Sequence, residues 1–114
     1  MFGDTITLPH ADGNIVVNKV NQDSYASEYL YKGTLSEYRV RIRHTKTTKL
    51  YDRHNVEVVE TVYATAEVPE HTRKVYIVIE LLPNDSDIKN ADALADWLIA
   101  TGDAALTKLN GWES

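Results

Sequence analysis

The sequence predicts an α+β fold with an N-terminal β-hairpin, an antiparallel sheet of about five strands, and two C-terminal α-helices. Three observations predict it. Apolar and polar residues alternate in Thr5–Leu8 and Glu37–Thr45, and β-branched residues crowd Asn55–Ala64 and Lys74–Leu82. Turn-forming residues punctuate that pattern at 10–14, 32–34 and 83–85. Beyond Asp85 the apolar residues fall at helical spacing instead.

The elements follow in chain order. Thr5-Ile6-Thr7-Leu8 alternates, His10-Ala11-Asp12-Gly13-Asn14 supplies a turn, and Ile15-Val16-Val17 returns as the second arm of a hairpin. Tyr25–Tyr31 is a third strand, closed by Lys32-Gly33-Thr34. Glu37–Thr45 is the clearest strand. Tyr38, Val40, Ile42 and His44 point one way, and Arg39, Arg41, Arg43 and Thr45 the other. After a polar connection from Thr45 to Asp52, the valine-rich Asn55–Ala64 is the next strand. Ala66–Thr72 reads as a loop, because Pro69 lacks an amide hydrogen. Lys74–Leu82 is the last strand, ended by Pro83-Asn84-Asp85.

Asp85 or Ser86 is placed to cap a helix from about Asp87 to Thr101. Ile88, Ala91, Leu94, Ala95 and Leu98 form its apolar stripe, with Trp97 and Ile99 partly off it. Gly102 suits the C′ position. Asp103 is placed to cap a shorter helix through Leu109, with Leu106 and Leu109 inward. Helices of about 15 and 7 residues hardly cover a five-stranded sheet, ~25 Å wide at ~4.8 Å per strand. A dimer that lays its helices over the neighbour's sheet would cover the rest.

The chain has 114 residues, 43% hydrophobic and 25% charged, which fits one globular domain, residues 1–114. It has no cysteine, which excludes a disulfide framework and a thiolate metal site. No apolar stretch is long enough to span a bilayer, and no secretory signal is expected from the N-terminal residues. The formal net charge is −5, yet residues 31–54 carry Lys32, Arg39, Arg41, Arg43, Lys46, Lys49 and Arg53 against only Glu37 and Asp52. A two-sided charge distribution of this kind suits an anionic partner on one surface.

Nothing in the sequence has the spacing of a catalytic constellation. There is no GxSxG, P-loop or GxGxxG motif. His10, His44, His54 and His71 are scattered without metal-ligand spacing and read as surface or packing residues, His44 as one at a core edge or interface. The sequence therefore calls for no enzyme, metal or cofactor. The arginine row is different. Residues two apart on a strand lie ~6.8 Å apart on one face, comparable to successive phosphates of a single strand. Each guanidinium can fork to phosphate or stack on a base. Without an anion or a cross-strand acid such as Glu57, the like charges repel. Tyr76 alternates with Val75, Ile77, Ile79 and Leu81, which makes it the candidate base-stacking aromatic.

The order of elements resembles the coat proteins of small single-stranded RNA bacteriophages, the levivirus group. The residues that carry the resemblance are Tyr38-Arg39-Val40-Arg41-Ile42-Arg43, the valine-rich strand after Arg53-His54-Asn55, and Leu82-Pro83-Asn84-Asp85-Ser86-Asp87 leading into the long helix. The resemblance implies a tight homodimer whose helices lie across the partner's sheet, with Ile88, Ala91, Leu94, Ala95, Trp97, Leu98, Leu106 and Leu109 at the interface. It implies an icosahedral shell, assembled in the bacterial host cytoplasm and packaging single-stranded genomic RNA. Repression of translation through an RNA hairpin is a further role of that family. By position, Arg39, Arg41, Arg43 and Thr45 match its RNA-facing strand, Asn55 and Glu57 the next, and Lys74 and Tyr76 the last. The loop at 66–72 matches one that meets its copies at the shell's symmetry axes. The implied partners are RNA and further copies of the chain, with no membrane and no small-molecule substrate. The alternative is a dimeric nucleic-acid-binding regulator of unrelated α+β fold.

Overall fold

A computed structural model describes residues 2–113. The chain divides into two compact units at Pro83/Asn84. The first holds six strands: β1 (Thr5–Leu8), β2 (Ile15–Gln22), β3 (Ala26–Lys32), β4 (Ser36–Lys46), β5 (Asp52–Val62) and β6 (His71–Leu81). They form one antiparallel sheet in sequential order. Each strand turns straight back beside its predecessor, as the short polar connections dictate.

The sheet has six strands rather than about five, because the hairpin arms β1 and β2 are its first two strands. β5 starts at Asp52, earlier than the valines suggest, since Lys46 and Asp52 face each other and extend the ladder. β6 starts at His71, where His71 and Thr72 pair with Val62 and Thr61. Pro69 stays just outside, as its missing amide requires.

Alternation gives the sheet two unlike faces. On one, Val17, Tyr29, Val40 and Ile42 are buried, with Ile6, Leu8, Ile15, Tyr38 and Val58 packed against them. The register shifts between Lys19 and Asn21, an irregularity that bends β2. The Tyr29 hydroxyl donates to the Gly3 carbonyl at 2.7 Å. Gly3 precedes β1, two strands from β3 and so ~10 Å away in a flat sheet. The first residues must therefore curl over the apolar face of β3. Further along that face, Val56, Val75 and Ile77 on β5 and β6 stay exposed.

The second unit contains α1 (Lys89–Asn110). Its backbone leaves helical geometry at Ala100–Asp103, where Thr101, Gly102 and Asp103 have φ near +60°. Two helical stretches result, as the sequence predicts, with Gly102 at the break. The expected side-chain cap is absent. The helix begins at Lys89 after Ile88, which makes no side-chain cap bond. Asp85 and Asp87 instead accept from the amides of Asp87 and Lys89 at 3.0 Å each. These are local turns that carry the chain into the helix two residues later than the acids suggest. Ile88, Leu94, Trp97, Ile99, Leu106 and Leu109 are exposed.

Candidate nucleic-acid interface

The second face of the sheet carries the charge. The strand register sets Arg39, Arg41, Arg43 and Thr45 of β4 opposite Val59, Glu57, Asn55 and Arg53 of β5. It sets Lys74, Tyr76, Val78 and Glu80 of β6 opposite the same four β5 residues. On the other side, Leu30, Glu28 and Ala26 of β3 face Arg39, Arg41 and Arg43. All eight residues that the sequence puts at an RNA-binding surface, Arg39, Arg41, Arg43, Thr45, Asn55, Glu57, Lys74 and Tyr76, thus lie on one face.

They do not form a bare basic row. Arg39 is ion-paired with Glu28, and its other terminal nitrogen lies 3.7 Å from Glu37. Arg41 stands between Glu28 and Glu57, at 3.6 Å from each. Lys74 approaches Glu57 at 3.9 Å, and Arg53 lies 3.9 Å from Glu80. The Arg39 hydrogen bond, joined by the charges of Arg39 and Arg41, holds the Glu28 carboxyl below the usual carboxylate range, although burial opposes it. These acids relieve the repulsion within the row. The sequence flags Glu57 for this. It gives no sign of Glu28, whose place opposite Arg41 depends on the register of the β3–β4 turn. Arg41 Nε and Glu37 Oε2 are buried and find no hydrogen-bond partner among the described residues.

Arg43 differs from its neighbours. It faces Ala26 and Asn55 rather than an acid and is exposed. It borders an open polar groove of about 210 Å³, shared with Asn21, Gln22, Asp23, Ala26, Ser27, Glu28 and Arg41. On β6, Tyr76 is 61% exposed. The Lys74 ammonium sits over its ring, 5.6 Å from the centroid, a cation–π contact. Asn55 points toward β6, where its amide donates to the Ile77 carbonyl at 3.4 Å. The face therefore offers an exposed cation with no acid opposite at Arg43, looser pairs at Arg53 and Lys74, a ring for stacking at Tyr76, and two arginines more closely engaged by carboxylates. Among the described residues, no cluster of three or more His, Cys, Asp or Glu could hold a metal.

Solved structures share this architecture. A bacteriophage EMS014 coat protein is 10% identical, with a TM-score of 0.67 over 85% of this chain and 72% of that one. A virus-like particle of bacteriophage AVE019 is 9% identical, with a TM-score of 0.70 over 100% and 99%. An unassembled virus coat protein dimer, described as a bacteriophage RNA-binding dimer, is 15% identical, with a TM-score of 0.57 over 96% and 94%. The fold is thus that of the coat proteins of small RNA bacteriophages. The family model for the phage phiCb5 coat protein matches residues 3–82, and the chain belongs to that family. No curated protein matches the sequence.

Proposed function

We propose that this coat protein dimerises, assembles into an icosahedral shell in the host cytoplasm, and packages single-stranded RNA against its charged face. The observation that carries the reading is the contrast between the two faces of one sheet. One face presents Arg43, Arg53, Lys74 and Tyr76, suited to phosphate and base stacking. The other leaves Val56, Val75 and Ile77 exposed on β5 and β6. Contiguous exposed apolar surface of this kind suits a protein partner.

The partner is a second copy of the chain. β6 is an eleven-residue edge strand, with no strand beyond it among the described residues, and a ready template for pairing. The apolar residues of the helical unit, Ile88, Ala91, Leu94, Ala95, Trp97, Leu98, Leu106 and Leu109, supply the surface that covers the partner's β5 and β6. Residues 1–114 then act as one coat-protein domain whose core is completed in the dimer. Binding is backbone-directed rather than base-directed, because Arg43 and Lys74 offer charge and Tyr76 a sequence-tolerant ring. Hairpin-specific repression of translation would use the same face, with Asn55 and Thr45 as its polar contacts.

Expression in bacteria followed by electron microscopy tests the reading. Uniform closed shells containing host RNA are expected. Clean dimers that bind nucleic acid without forming shells would instead identify a regulator built on the same fold.

A further inference from the structure

His44 and His54 stand directly opposite each other on β4 and β5, on the side of the sheet away from Arg43. The His44 amide donates to the Tyr25 carbonyl at 2.8 Å, toward β3. Its backbone polar groups therefore point away from β5, and the two histidines form a non-hydrogen-bonded pair. In such pairs the Cα atoms approach to ~4.5 Å and the side chains are closest. The rings meet edge to face with centroids 5.1 Å apart, and the two Nδ1 atoms are 2.9 Å apart.

In the metal-free pair, one Nδ1–H donates to the lone pair of the other. Moving that proton to Nε2 of the same ring leaves both Nδ1 lone pairs facing one gap, with no change in net charge. Metal–imidazole bonds are ~2.0–2.1 Å long. Two such bonds spanning 2.9 Å enclose an angle of about 90°, the cis angle of square-planar or octahedral coordination. Tetrahedral zinc would need the nitrogens about 3.4 Å apart.

We propose that His44 and His54 form a bidentate site for a divalent transition-metal ion of the copper(II) or nickel(II) type. Both ligands project from eleven-residue strands, so the bite is set by the sheet rather than by a loop. They border an open groove of about 460 Å³, wide enough for water to fill the remaining coordination positions. Lys46 and Asp52, the next cross-strand pair outward, are bonded to each other. The carboxylate thereby offsets the ammonium charge that would otherwise oppose a cation. RNA binding belongs to the other face, whereas the pair shares its face with the apolar surface that the proposed dimer partner covers.

The test is titration of the purified full-length protein, in the assembly state in which it is isolated, with CuCl2 and separately NiCl2. Calorimetry reads stoichiometry, and the copper EPR spectrum reads nitrogen ligation. The proposal predicts one ion per chain and hyperfine coupling to two imidazole nitrogens. His44→Ala and His54→Ala should each weaken binding by more than the ~10-fold that loss of an outer-shell partner costs. His10→Ala and His71→Ala should leave it unchanged. His44→Asn, which keeps a polar side chain on the strand, guards against loss of fold and should behave as His44→Ala. Absence of binding at millimolar metal, binding that survives loss of either histidine, or equal loss in His10→Ala would each overturn the proposal and leave the pair a hydrogen bond only.

Discussion

Arg41 and Glu57 face each other across β4 and β5 with their charged groups 3.6 Å apart, and Lys74 reaches the same carboxylate from β6 at 3.9 Å. One acid thus holds two of the cations that the sequence assigns to RNA. The Glu57→Gln substitution removes that competition while keeping the side chain's shape. RNA affinity should rise several-fold at low salt, and the slope of log affinity against log salt should steepen by about one or two phosphate equivalents. Filter binding of a non-specific single-stranded RNA from 50 to 300 mM salt measures both; unchanged affinity would show that Arg41 and Lys74 do not reach phosphate.

The three arginines of β4 should separate by function. Arg43 has no acid opposite it, so Arg43→Ala should reduce RNA affinity and lower the salt slope by about one with little change in melting temperature. Arg39 is paired with Glu28 and close to Glu37. Arg39→Ala takes the cation from Glu37 and leaves Glu28 only the more distant Arg41, and should cost stability first, on the order of 1–3 kcal/mol. Denaturation and RNA titration of both variants check the division, and equal effects in both assays would refute it.

Acid sensitivity follows from the same carboxylates. Arg39 holds the Glu28 carboxyl below its ordinary value of 4.5. Arg73 does the same for Glu60 by a hydrogen bond of 2.8 Å. A carboxylate whose folded value is depressed binds protons more readily unfolded. Its stabilisation is therefore present above about pH 4.5 and is lost as pH falls through the lower folded value. Melting temperature should fall steeply below that pH. Glu28→Gln should flatten the fall while lowering the plateau near neutrality. A parallel pH profile in the variant would contradict this.

The curl of the N-terminal segment hangs on few groups. Tyr29→Phe deletes the donor to the Gly3 carbonyl and should cost about 1 kcal/mol. Ile42→Ala empties a buried site in the cluster that holds Val17, Tyr29 and Val40 and should cost about 2–5 kcal/mol. Urea denaturation measures both, and a smaller effect for Ile42→Ala than for Tyr29→Phe would show that the core lies elsewhere.

The two faces of β4 were legible in the sequence because alternation depends only on local residue order. Tyr38, Val40 and Ile42 against Arg39, Arg41 and Arg43 needs no knowledge of neighbouring strands. The break at Gly102 was legible for the same reason, since glycine readily takes positive φ. Contacts set by register were not. Glu28 meets Arg39 and Arg41, and His44 meets His54, only because turns of particular length align β3, β4 and β5. The start of the long helix was misplaced because aspartate serves local turns as well as caps. Asp85 and Asp87 make the former.

In the proposed function, the Arg43 face holds RNA inside a shell. The most direct measurement is the RNA content of purified particles, by absorbance and by extraction, for the wild-type chain and for an Arg43→Glu, Lys74→Glu double variant. The prediction is shells of unchanged size that are empty or strongly depleted of RNA. Variant shells carrying the full wild-type RNA content would contradict it.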